Sequence, residues 1–193
     1  MCNWYKIIAK IRAILFYPLC FASYGKKTMI IRPLQIDGMK NISIGNSTYI
    51  YDQTWLAAMP LSKQEKPFLQ IGNNCVIGHF NHIYATNKII IQDSVLTADK
   101  VYISDNQHEY NNPQIPIKNQ PIRQSNPIVI GEGSWLGENV CILSASIGKH
   151  CVIGANSVVT HDIPDYSVVV GAPARVIKKY NFDTQRWEKI GNI

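Results

Sequence analysis

Residues 71–101 read IGNNCVIGHFNHIYATNKIIIQDSVLTADKV. An aliphatic residue stands at every sixth position of this stretch, namely at Ile71, Ile77, Ile83, Ile89, Val95 and Val101. A period of six matches neither an α-helix, which repeats about every 3.6 residues, nor the alternation of a long strand. It is typical of a short strand, a tight corner and another short strand. Three such units close a coil of about 18 residues, and stacked coils bury a continuous aliphatic column.

The same period returns on both sides of this stretch. Three further sets of aliphatic residues lie six apart: Ile30, Ile36 and Ile42; Ile130, Leu136 and Ile142; and Ile147, Ile153 and Val159. Glycine and asparagine often follow the aliphatic residue, as in Gly72-Asn73-Asn74, and both tolerate the positive φ of sharp corners. Cys75 and Cys151 each stand four residues after an aliphatic position. We expect their small side chains to pack inside corners and not to act as nucleophiles.

The composition fits a folded domain that meets anionic partners. Of 193 residues, 46% are hydrophobic and 17% are charged, and 19 Lys and Arg against 13 Asp and Glu give a net charge of +6. This balance suits an anionic ligand or an anionic membrane surface. Since no Lys/Arg run or RNA-binding signature accompanies it, a nucleic acid partner is not predicted. The five cysteines, without a CxxC pair, indicate neither a disulfide framework nor a zinc knuckle, and free thiols predict a cytoplasmic location.

Residues 1–29 are an apolar and aromatic N-terminal segment. The uncharged stretch that begins at Ala13 is too short to span a bilayer, which takes about 20 apolar residues. An aliphatic stripe predicts an amphipathic helix, and its members are Ile7, Ile8, Ile11, Ile14, Leu15 and Leu19. Two interpretations stay open: packing on this protein or a sister subunit, and peripheral contact with the inner face of a membrane.

The repeat defines the domain organisation. Residues 30–172 are the predicted repeat domain, and residues 173–193 are a predicted C-terminal tail with a short helix near 184–190. Two stretches that lack the period and contain several prolines, 57–68 and 104–127, are predicted loops. Because a long loop between regular coils is usually functional, the second loop is the candidate site.

Four segments resemble the hexapeptide-repeat acyltransferases. They read VYISDNQHEY at 101–110, IGEGSWLGEN at 130–139, IGANSVVTHDIP at 153–164 and VGAPARVIK at 170–178. The nearest branch is the maltose, galactoside and polysaccharide O-acetyltransferases. The resemblance implies an all-β, left-handed parallel β-helix and a homotrimer whose active sites lie between subunits. It also implies transfer of an acetyl group from acetyl-CoA to a hydroxyl of a sugar or surface-polysaccharide precursor, with no catalytic metal.

His108 is the candidate catalytic residue. An alcohol is a poor nucleophile until a base takes its proton, and an imidazole, which ordinarily titrates near neutral pH, suits that role. The resemblance places His108 at the start of the protruding loop as the general base. Asp105 and Glu109 lie close in sequence and are candidates for orienting the imidazole, although a backbone carbonyl can do the same. On this ground Asp105 is predicted as a second residue of the catalytic site.

The resemblance also implies positions for coenzyme A and for the acceptor. The coenzyme A positions are Glu138, Ala155, Thr160, His161, Arg175 and Lys178, of which the last two supply positive charge for phosphates. Glu138 stands where the family commonly has a small hydroxyl residue, and His161 stands where it commonly has Lys. The predicted acceptor-binding residues are His79, His82, Thr86, Asn87 and Trp135. Gly78 and Thr86 replace an Asn and an Asp of the sugar acetyltransferases, which leaves the acceptor open.

Three other functions are compatible with parts of this pattern. A non-catalytic binding or scaffold protein can share the fold, because fold alone does not imply activity. An acetyltransferase of this type can also act on an antibiotic or another small hydroxylated molecule. A γ-type carbonic anhydrase would hold zinc with three histidines, such as His79, His82 and His108. Their spacing does not match that family, and the C-terminal segment would have no role in it.

Overall fold

The computed structural model of the protein describes residues 4–62 and 66–190. Residues 1–3, 63–65 and 191–193 lie outside the described part. With them, the first residues of the predicted N-terminal segment, the middle of the first predicted loop and the end of the predicted tail are left undescribed.

Three parallel sheets form the walls of a solenoid, and the chain passes through them in the repeating order A, B, C. Sheet A contains β1 (Ser23–Tyr24), β4 (Ile42–Ile44), β7 (Phe68–Ile71), β10 (Lys88–Ile91) and β15 (Ile128–Ile130). Sheet B contains β2 (Met29–Ile30), β5 (Tyr49–Ile50), β8 (Val76–Ile77), β11 (Leu96–Thr97), β16 (Trp135–Leu136), β18 (Val152–Ile153) and β20 (Ser167–Gly171), followed by the antiparallel strands β21 (Ala174–Asn181) and β22 (Arg186–Lys189). Sheet C contains β3 (Gln35–Asp37), β6 (Trp55–Ala58), β9 (His82–Ala85), β12 (Tyr102–Ser104), β17 (Cys141–Leu143) and β19 (Val158–Val159). The predicted parallel solenoid of hexapeptide repeats is therefore confirmed.

The register between coils shows how long each coil is. Ile71 pairs with Ile91, so a coil of the first half takes 20 residues, whereas Ile130 pairs with Ile147, so a coil of the second half takes 17. The predicted coil of about 18 residues lies between the two values. Because a 20-residue coil is not a multiple of six, the unbroken run from Ile71 shifts its phase as it proceeds. Its last two members, Val95 and Val101, consequently lie in corners and not on strands, although both are buried.

The inward side chains of the three sheets form one aliphatic core. The residues of the predicted repeat that lie on strands are almost fully buried, as shown by Ile77, Ile83 and Ile130 at 0% exposure, except for Ile36 in the first coil, which is half-buried. Thr97 interrupts the aliphatic column of sheet B. It is 1% exposed, and its hydroxyl accepts a hydrogen bond from the Gly78 N–H at 3.1 Å, so its polar group is satisfied inside the wall.

The glycines that follow the aliphatic residues have a different role from the predicted one. At the A–B corner, where sheet A passes into sheet B, positive φ falls later in the corner, at Asn74 (54°), Ser94 (58°) and His150 (49°). Gly131 is needed for close stacking, because a Cβ there would lie 2.4 Å from the carbonyl carbon of Gly148 in the next coil. The glycine that follows the aliphatic residue therefore marks where successive coils touch, and the residues after this glycine provide the turn.

The two buried corner cysteines pack as the pattern predicts. The Cys75 thiol donates to the Gln92 carbonyl at 3.1 Å, and the Cys151 thiol donates to the Pro164 carbonyl at 3.2 Å. Burial raises the pKa of both thiols, which disfavours the nucleophilic thiolate.

Both predicted loops leave the solenoid at the same corner, where sheet C passes into sheet A. The first lies between β6 and β7, and the second lies between β12 and β15. One coil without an insertion separates them, and its tight C–A turn is Thr86-Asn87. The second loop contains an antiparallel hairpin of β13 (Asn106–His108) and β14 (Ile122–Gln124), with a 3-10 turn at Ile117–Asn119 between the strands. A shorter 3-10 turn, Met39–Asn41, occupies this corner in the first coil.

A helical segment lies against the first coil. It consists of α1 (Trp4–Ile11), a π-helical turn (Arg12–Phe16) and α2 (Tyr17–Cys20), and strand β1 follows at Ser23. The inward side chains are Ala9, Tyr17 and Phe21, which are buried, whereas all six residues of the predicted aliphatic stripe are exposed. The stripe therefore does not pack on its own chain. Among the described residues, no helix combines the length and the apolar character that crossing a bilayer requires.

The C-terminal tail is a strand hairpin, so the predicted short helix near 184–190 is wrong. β21 turns back antiparallel on β20, and β22 then pairs with β21. Tyr180 faces Trp187 across the hairpin with ring centroids 5.4 Å apart. The free edge of the sheet offers backbone hydrogen bonds, and this aromatic cross-strand pair adds to them. Together these interactions outweigh the local preference of a polar segment for a helix.

Candidate active site

Asp105 anchors the protruding loop where it leaves sheet C. Its carboxylate is fully buried and accepts hydrogen bonds from the Thr86 N–H at 2.7 Å, the Thr86 hydroxyl at 2.9 Å and the Asn87 N–H at 2.8 Å. These three donors belong to the uninserted C–A turn of the preceding coil. The Asp105 carbonyl accepts a further bond from the Ser125 N–H at 2.7 Å, which joins the two ends of the hairpin. The loop is thus fixed to the solenoid by a buried charge with several backbone donors.

Two side-chain hydrogen bonds between the far end of the loop and the turn of the preceding coil complete this anchor. The Gln124 amide donates to the Thr86 carbonyl at 2.8 Å, and the Asn87 amide donates to the Ser125 carbonyl at 3.0 Å. Thr86 is fully buried, so it has no surface to offer a ligand in this chain. The predicted acceptor-binding role of Thr86 is replaced by a structural role, and Asn87 uses its side chain in the same anchor.

His108 is the last residue of β13 and pairs in register with Ile122. Its side chain is exposed at the edge of the hairpin, and it shares a small cavity of about 30 Å³ with Glu109, Tyr110 and Arg123. Ligand pockets usually measure about 300–1,000 Å³, so this part of one chain does not form a pocket for a thioester and a sugar.

Asp105, which was predicted to orient the His108 imidazole, uses its carboxylate for other hydrogen bonds. The Asp105 carboxylate is occupied by Thr86 and Asn87, and it makes no hydrogen bond to the imidazole among the contacts of the described residues. This geometry favours a positioning role, in which Asp105 holds the hairpin, over direct contact with the imidazole. The Glu109 N–H donates to the Pro121 carbonyl at 2.9 Å, which closes the hairpin one residue beyond His108.

His79 belongs to a row of ionisable side chains from successive coils at the B–C corner. One ring nitrogen lies 3.0 Å from an Asp52 carboxylate oxygen, and the other lies 3.1 Å from an Asp99 carboxylate oxygen. Asp52 also pairs with Arg32 of the coil before it. His79 is therefore held between two carboxylates on successive coils, at a different corner from the loop that carries His108.

His82 and Trp135 occupy two separate walls. The His82 ring stacks on Trp55 of the preceding coil, with centroids 4.2 Å apart and planes 5° apart, on the outer face of sheet C. Burial lowers the pKa of His82, and its buried Nε2 has no hydrogen-bond partner. Trp135 is 45% exposed on the outer face of sheet B, between Leu96 and Val152. The structure therefore does not bring the five predicted acceptor residues together.

Three of the six predicted coenzyme A positions follow the B–C corner. Glu138 and Ala155 occupy this corner in successive coils, and the Asn156 N–H donates to the Glu138 carbonyl at 2.8 Å. The Glu138 carboxylate also pairs with Lys100 at 3.0 Å. The chain reverses direction at this corner at Gly171, and Arg175 begins the return along β21. The Arg175 side chain is exposed, and its guanidinium donates to the Ala174 carbonyl at 3.0 Å.

The other coenzyme A positions are less close together. Thr160 and His161 lie at the C–A corner, and the Thr160 hydroxyl lies 3.0 Å from Nδ1 of His161. Lys178 lies on β21, opposite Val168 and Lys189. The predicted set therefore divides between two edges of sheet C and the end of sheet B.

Sequence reasoning missed three residues of the site. Gln124 and Ser125 anchor the hairpin, and Arg123 lines the cavity beside His108. All three lie in the second predicted loop, where the hexapeptide period gives no information. The signal that they share is their position opposite residues 105–107 in a hairpin, which only strand pairing reveals.

Comparison with known proteins finds one family model and several curated relatives that the chain resembles. A family model described as a hexapeptide repeat of succinyl-transferase matches residues 127–161. The "putative lipopolysaccharide biosynthesis O-acetyl transferase WbbJ" of Escherichia coli is 39% identical over 125 residues, which are 61% of this chain and 63% of that protein. A "probable acetyltransferase" of Mycobacterium tuberculosis is 40% identical over 141 residues, which are 72% of this chain and 45% of that protein. The chain is therefore similar to hexapeptide-repeat proteins over residues 127–161 and to two proteins named as acetyltransferases over 61–72% of its length.

Solved structures of hexapeptide-repeat proteins share the fold. A mutant of the N-acyltransferase AntD of Bacillus cereus, in complex with dTDP and coenzyme A, superposes with a TM-score of 0.71 at 21% identity, over 91% of this chain and 90% of that one. A hexapeptide-repeat acetyltransferase of Vibrio cholerae, complexed with acetyl-CoA, gives 0.58 at 25% identity, over 86% and 74%. The chain matches less than two thirds of the length of the two curated relatives. Among residues 4–62 and 66–190, no group of three His, Cys, Asp or Glu side chains is arranged to hold a metal ion.

Replacing Asp105 by Asn should loosen the hairpin. The amide has one oxygen in place of two and presents N–H groups towards N–H donors, so one or more anchor bonds are lost. We expect the free energy of unfolding to fall by about 1–3 kcal/mol, the usual cost of unsatisfied buried donors. Limited proteolysis within the hairpin and hydrogen exchange at Thr86 and Asn87 should both accelerate. The exposed Asp183→Asn serves as the matched control, and equal protection of the hairpin in both variants would contradict the anchor.

Proposed function

We propose that the protein is an acetyl-CoA-dependent O-acetyltransferase that acetylates a hydroxyl of a sugar or surface-polysaccharide precursor, with His108 as the general base. The main support is the position of His108 on a hairpin that a buried carboxylate fixes to a hexapeptide-repeat solenoid. The names of the curated relatives, which include a lipopolysaccharide O-acetyl transferase, support the reaction and the substrate class. The acetyl-CoA complex of the Vibrio cholerae structure supports the donor.

The proposed reaction needs one proton acceptor. His108 takes the hydroxyl proton while the hydroxyl oxygen attacks the thioester carbonyl of acetyl-CoA. The tetrahedral intermediate then collapses, the carbon–sulfur bond breaks, and the imidazolium returns the proton to the leaving sulfur. The products are an acetyl ester and coenzyme A thiol. The rigid anchor at Asp105 serves this chemistry, because a general base must lie within hydrogen-bond reach of the proton that it removes.

The proposed coenzyme A site follows the B–C corner to the end of sheet B. Ala155 offers backbone groups for the pantetheine amides, and Arg175 and Lys178 offer positive charge for the phosphates. Glu138 forms an exposed ion pair with Lys100. Because its carboxylate accepts hydrogen bonds in this pair, Glu138 cannot donate as the small hydroxyl residue that is common in the family does. Thr160 and His161 remain candidates for the part of the ligand that reaches the C–A corner.

The active site is proposed to lie between subunits of a homotrimer. Within one chain, the hairpin that carries His108 leaves the solenoid at the C–A corner. Glu138 and Ala155 lie at the B–C corner, on the other edge of sheet C. Five residue steps, from Asn139 to Ser144, separate these corners in one coil, which is about 16 Å at the rise of an extended strand. Together with the small cavity at His108, this separation supports a site that a neighbouring copy completes. The left-handed winding implied by the family resemblance belongs to the same proposal.

A cytoplasmic location is proposed on the state of the cysteines. Cys20, Cys75, Cys141 and Cys151 are all free in the described part of the chain. Free thiols are typical of a reducing compartment. A reducing compartment also suits the proposed role in making a precursor before it is exported.

The His108→Ala variant should lose most of the activity. A general base usually contributes about 10²–10⁴-fold, so kcat should fall by that factor while the affinity for acetyl-CoA changes little. Thiol release is measured with labelled acetyl-CoA and a panel of sugar acceptors, and the labelled product identifies the acceptor. The control is His150→Ala, a histidine that stacks on Tyr166 at a solenoid corner. A folded His108→Ala protein with near wild-type turnover would show that this mechanism is wrong.

The double variant Arg175→Ala/Lys178→Ala should bind acetyl-CoA more weakly. A bond between a cation and a phosphate is worth about 1.5–3 kcal/mol, so KM for acetyl-CoA should rise by at least about tenfold, with a much smaller change in kcat. The matched control is Lys179→Ala/Arg186→Ala, which removes two exposed cations from the same hairpin. An unchanged KM in the first variant would remove both residues from the proposed site.

Mixing two defective proteins should test the shared site. If His108 of one subunit works with Arg175 and Lys178 of its neighbour, co-expression of the His108→Ala and Arg175→Ala/Lys178→Ala chains restores intact sites. At low acetyl-CoA, random assembly should recover about a quarter of the wild-type activity, because each intact site needs one particular pairing. Light scattering should report a trimer. A fully active monomer, or no recovery in mixed trimers, would contradict the proposal.

A further inference from the structure

The whole net charge of the chain lies at its N-terminal end. Residues 1–36 contain no Asp or Glu, and their basic residues are Lys6, Lys10, Arg12, Lys26, Lys27 and Arg32. The other 13 basic residues are balanced by the 13 acidic residues, all of which follow residue 36. The net charge of +6 therefore belongs to the helical segment and the first coil, and the rest of the solenoid is electrically neutral.

The same end of the molecule carries an unusual exposed apolar surface. We call it the N-terminal apolar ridge, and its members are Trp4, Ile7, Ile8, Ile11, Ile14, Leu15, Phe16 and Leu19. Leu19 is 84% exposed, and Trp4 and Ile14 are each 69% exposed. Single exposed hydrophobic residues are ordinary, but a contiguous group of eight on one helical segment marks an interaction surface.

The helix cannot turn this ridge inward without leaving its place. Its opposite side is fixed by Ala9, Tyr17 and Phe21, which are 2%, 6% and 6% exposed. Tyr17 and Phe21 join the core cluster and contact each other edge to face at 5.2 Å. The helix therefore presents its largest aliphatic side chains to the outside and uses a small residue and two aromatic rings to pack on the coil.

Cations stand directly beside the apolar ridge. Lys10, Lys26 and Lys27 line one groove of about 570 Å³ together with Ile14 and Pro18. The ammonium groups that line this groove therefore lie next to apolar side chains of the helix. This is the arrangement of interfacial helices, in which the apolar residues enter the boundary of the bilayer and Lys or Arg contact anionic headgroups.

We propose that the N-terminal apolar ridge docks the protein on the surface of an anionic phospholipid bilayer. The charge argues against the pairing of two such helices from two copies of the chain. A symmetric contact between two such helices would bring Lys6, Lys10 and Arg12 of both copies together, and the segment has no acidic residue to neutralise them. An anionic membrane supplies both the apolar environment and the opposite charge. The inference stands apart from the proposed acetyl transfer, since it concerns the other end of the solenoid from β20–β22.

Vesicle sedimentation with the full-length protein tests the proposal. The vesicles contain either phosphatidylcholine alone or phosphatidylcholine with phosphatidylglycerol. The wild type should bind the anionic vesicles and dissociate as salt is raised. Ile14→Glu/Leu19→Glu should abolish binding, because both side chains are exposed and the change leaves the packed side intact. Lys26→Ala/Lys27→Ala should weaken binding roughly 25-fold at low salt, about fivefold for each cation near the surface.

Matched controls separate the surface from general effects. Phe80→Glu changes an exposed apolar side chain of a later coil, and Lys88→Ala/Lys149→Ala removes two exposed cations from coils further along the chain; both should bind as the wild type does. Circular dichroism checks that each variant is folded. The proposal is overturned if the wild type ignores anionic vesicles or binds both vesicle types equally. It is also overturned if Ile14→Glu/Leu19→Glu changes the subunit number and leaves vesicle binding intact, since a second copy would then cover the ridge.

Discussion

The stacking of each coil on its equivalent in the next coil is the constraint on which the rest of this structure depends. Parallel hydrogen bonds set every residue above its counterpart, so an inward isoleucine is buried by the isoleucines before and after it. The same register brings backbone against backbone at the corners, where Gly131 and Gly148 leave no room for a Cβ. Any extra residue must therefore leave the wall at a corner, and both long insertions do so at the same one, between sheets C and A.

That constraint also determines what the two ends of the solenoid must do. An open stack of parallel strands exposes unpaired backbone groups and an unprotected core at each end. At the N-terminal end the helix covers the core with Tyr17 and Phe21. At the other end β20 turns back into β21 and β22, so the last parallel strand gains an antiparallel partner. The two covers differ in chemistry, because one leaves an apolar and basic surface outside and the other is a hairpin that mixes polar residues with the exposed rings of Phe182 and Trp187.

The candidate site follows from the same geometry. The hairpin of His108 is held by Asp105, and three donors to that carboxylate come from the uninserted turn of the preceding coil. Two of the proposed coenzyme A positions, Glu138 and Ala155, lie at a different corner, in the stacked B–C turns. A solenoid wall separates these two sets of residues within one chain. This separation is the reason for proposing that a neighbouring subunit completes the site.

The sequence by itself determined the repeat, the buried aliphatic positions, the place of both insertions and the candidate base, because a period of six and a local motif are properties of neighbouring residues. It gave Cys75 and Cys151 their packing role for the same reason. The tertiary structure alone decided the coil lengths of 20 and 17, the burial of Thr86 against Asp105 and the pairing that makes residues 186–189 a strand. It also decided that Ile14 and Leu19 face outward. Each of these depends on a contact between residues far apart in the chain, and a hydrophobic stripe shows that a helix has an apolar side without showing which surface that side meets.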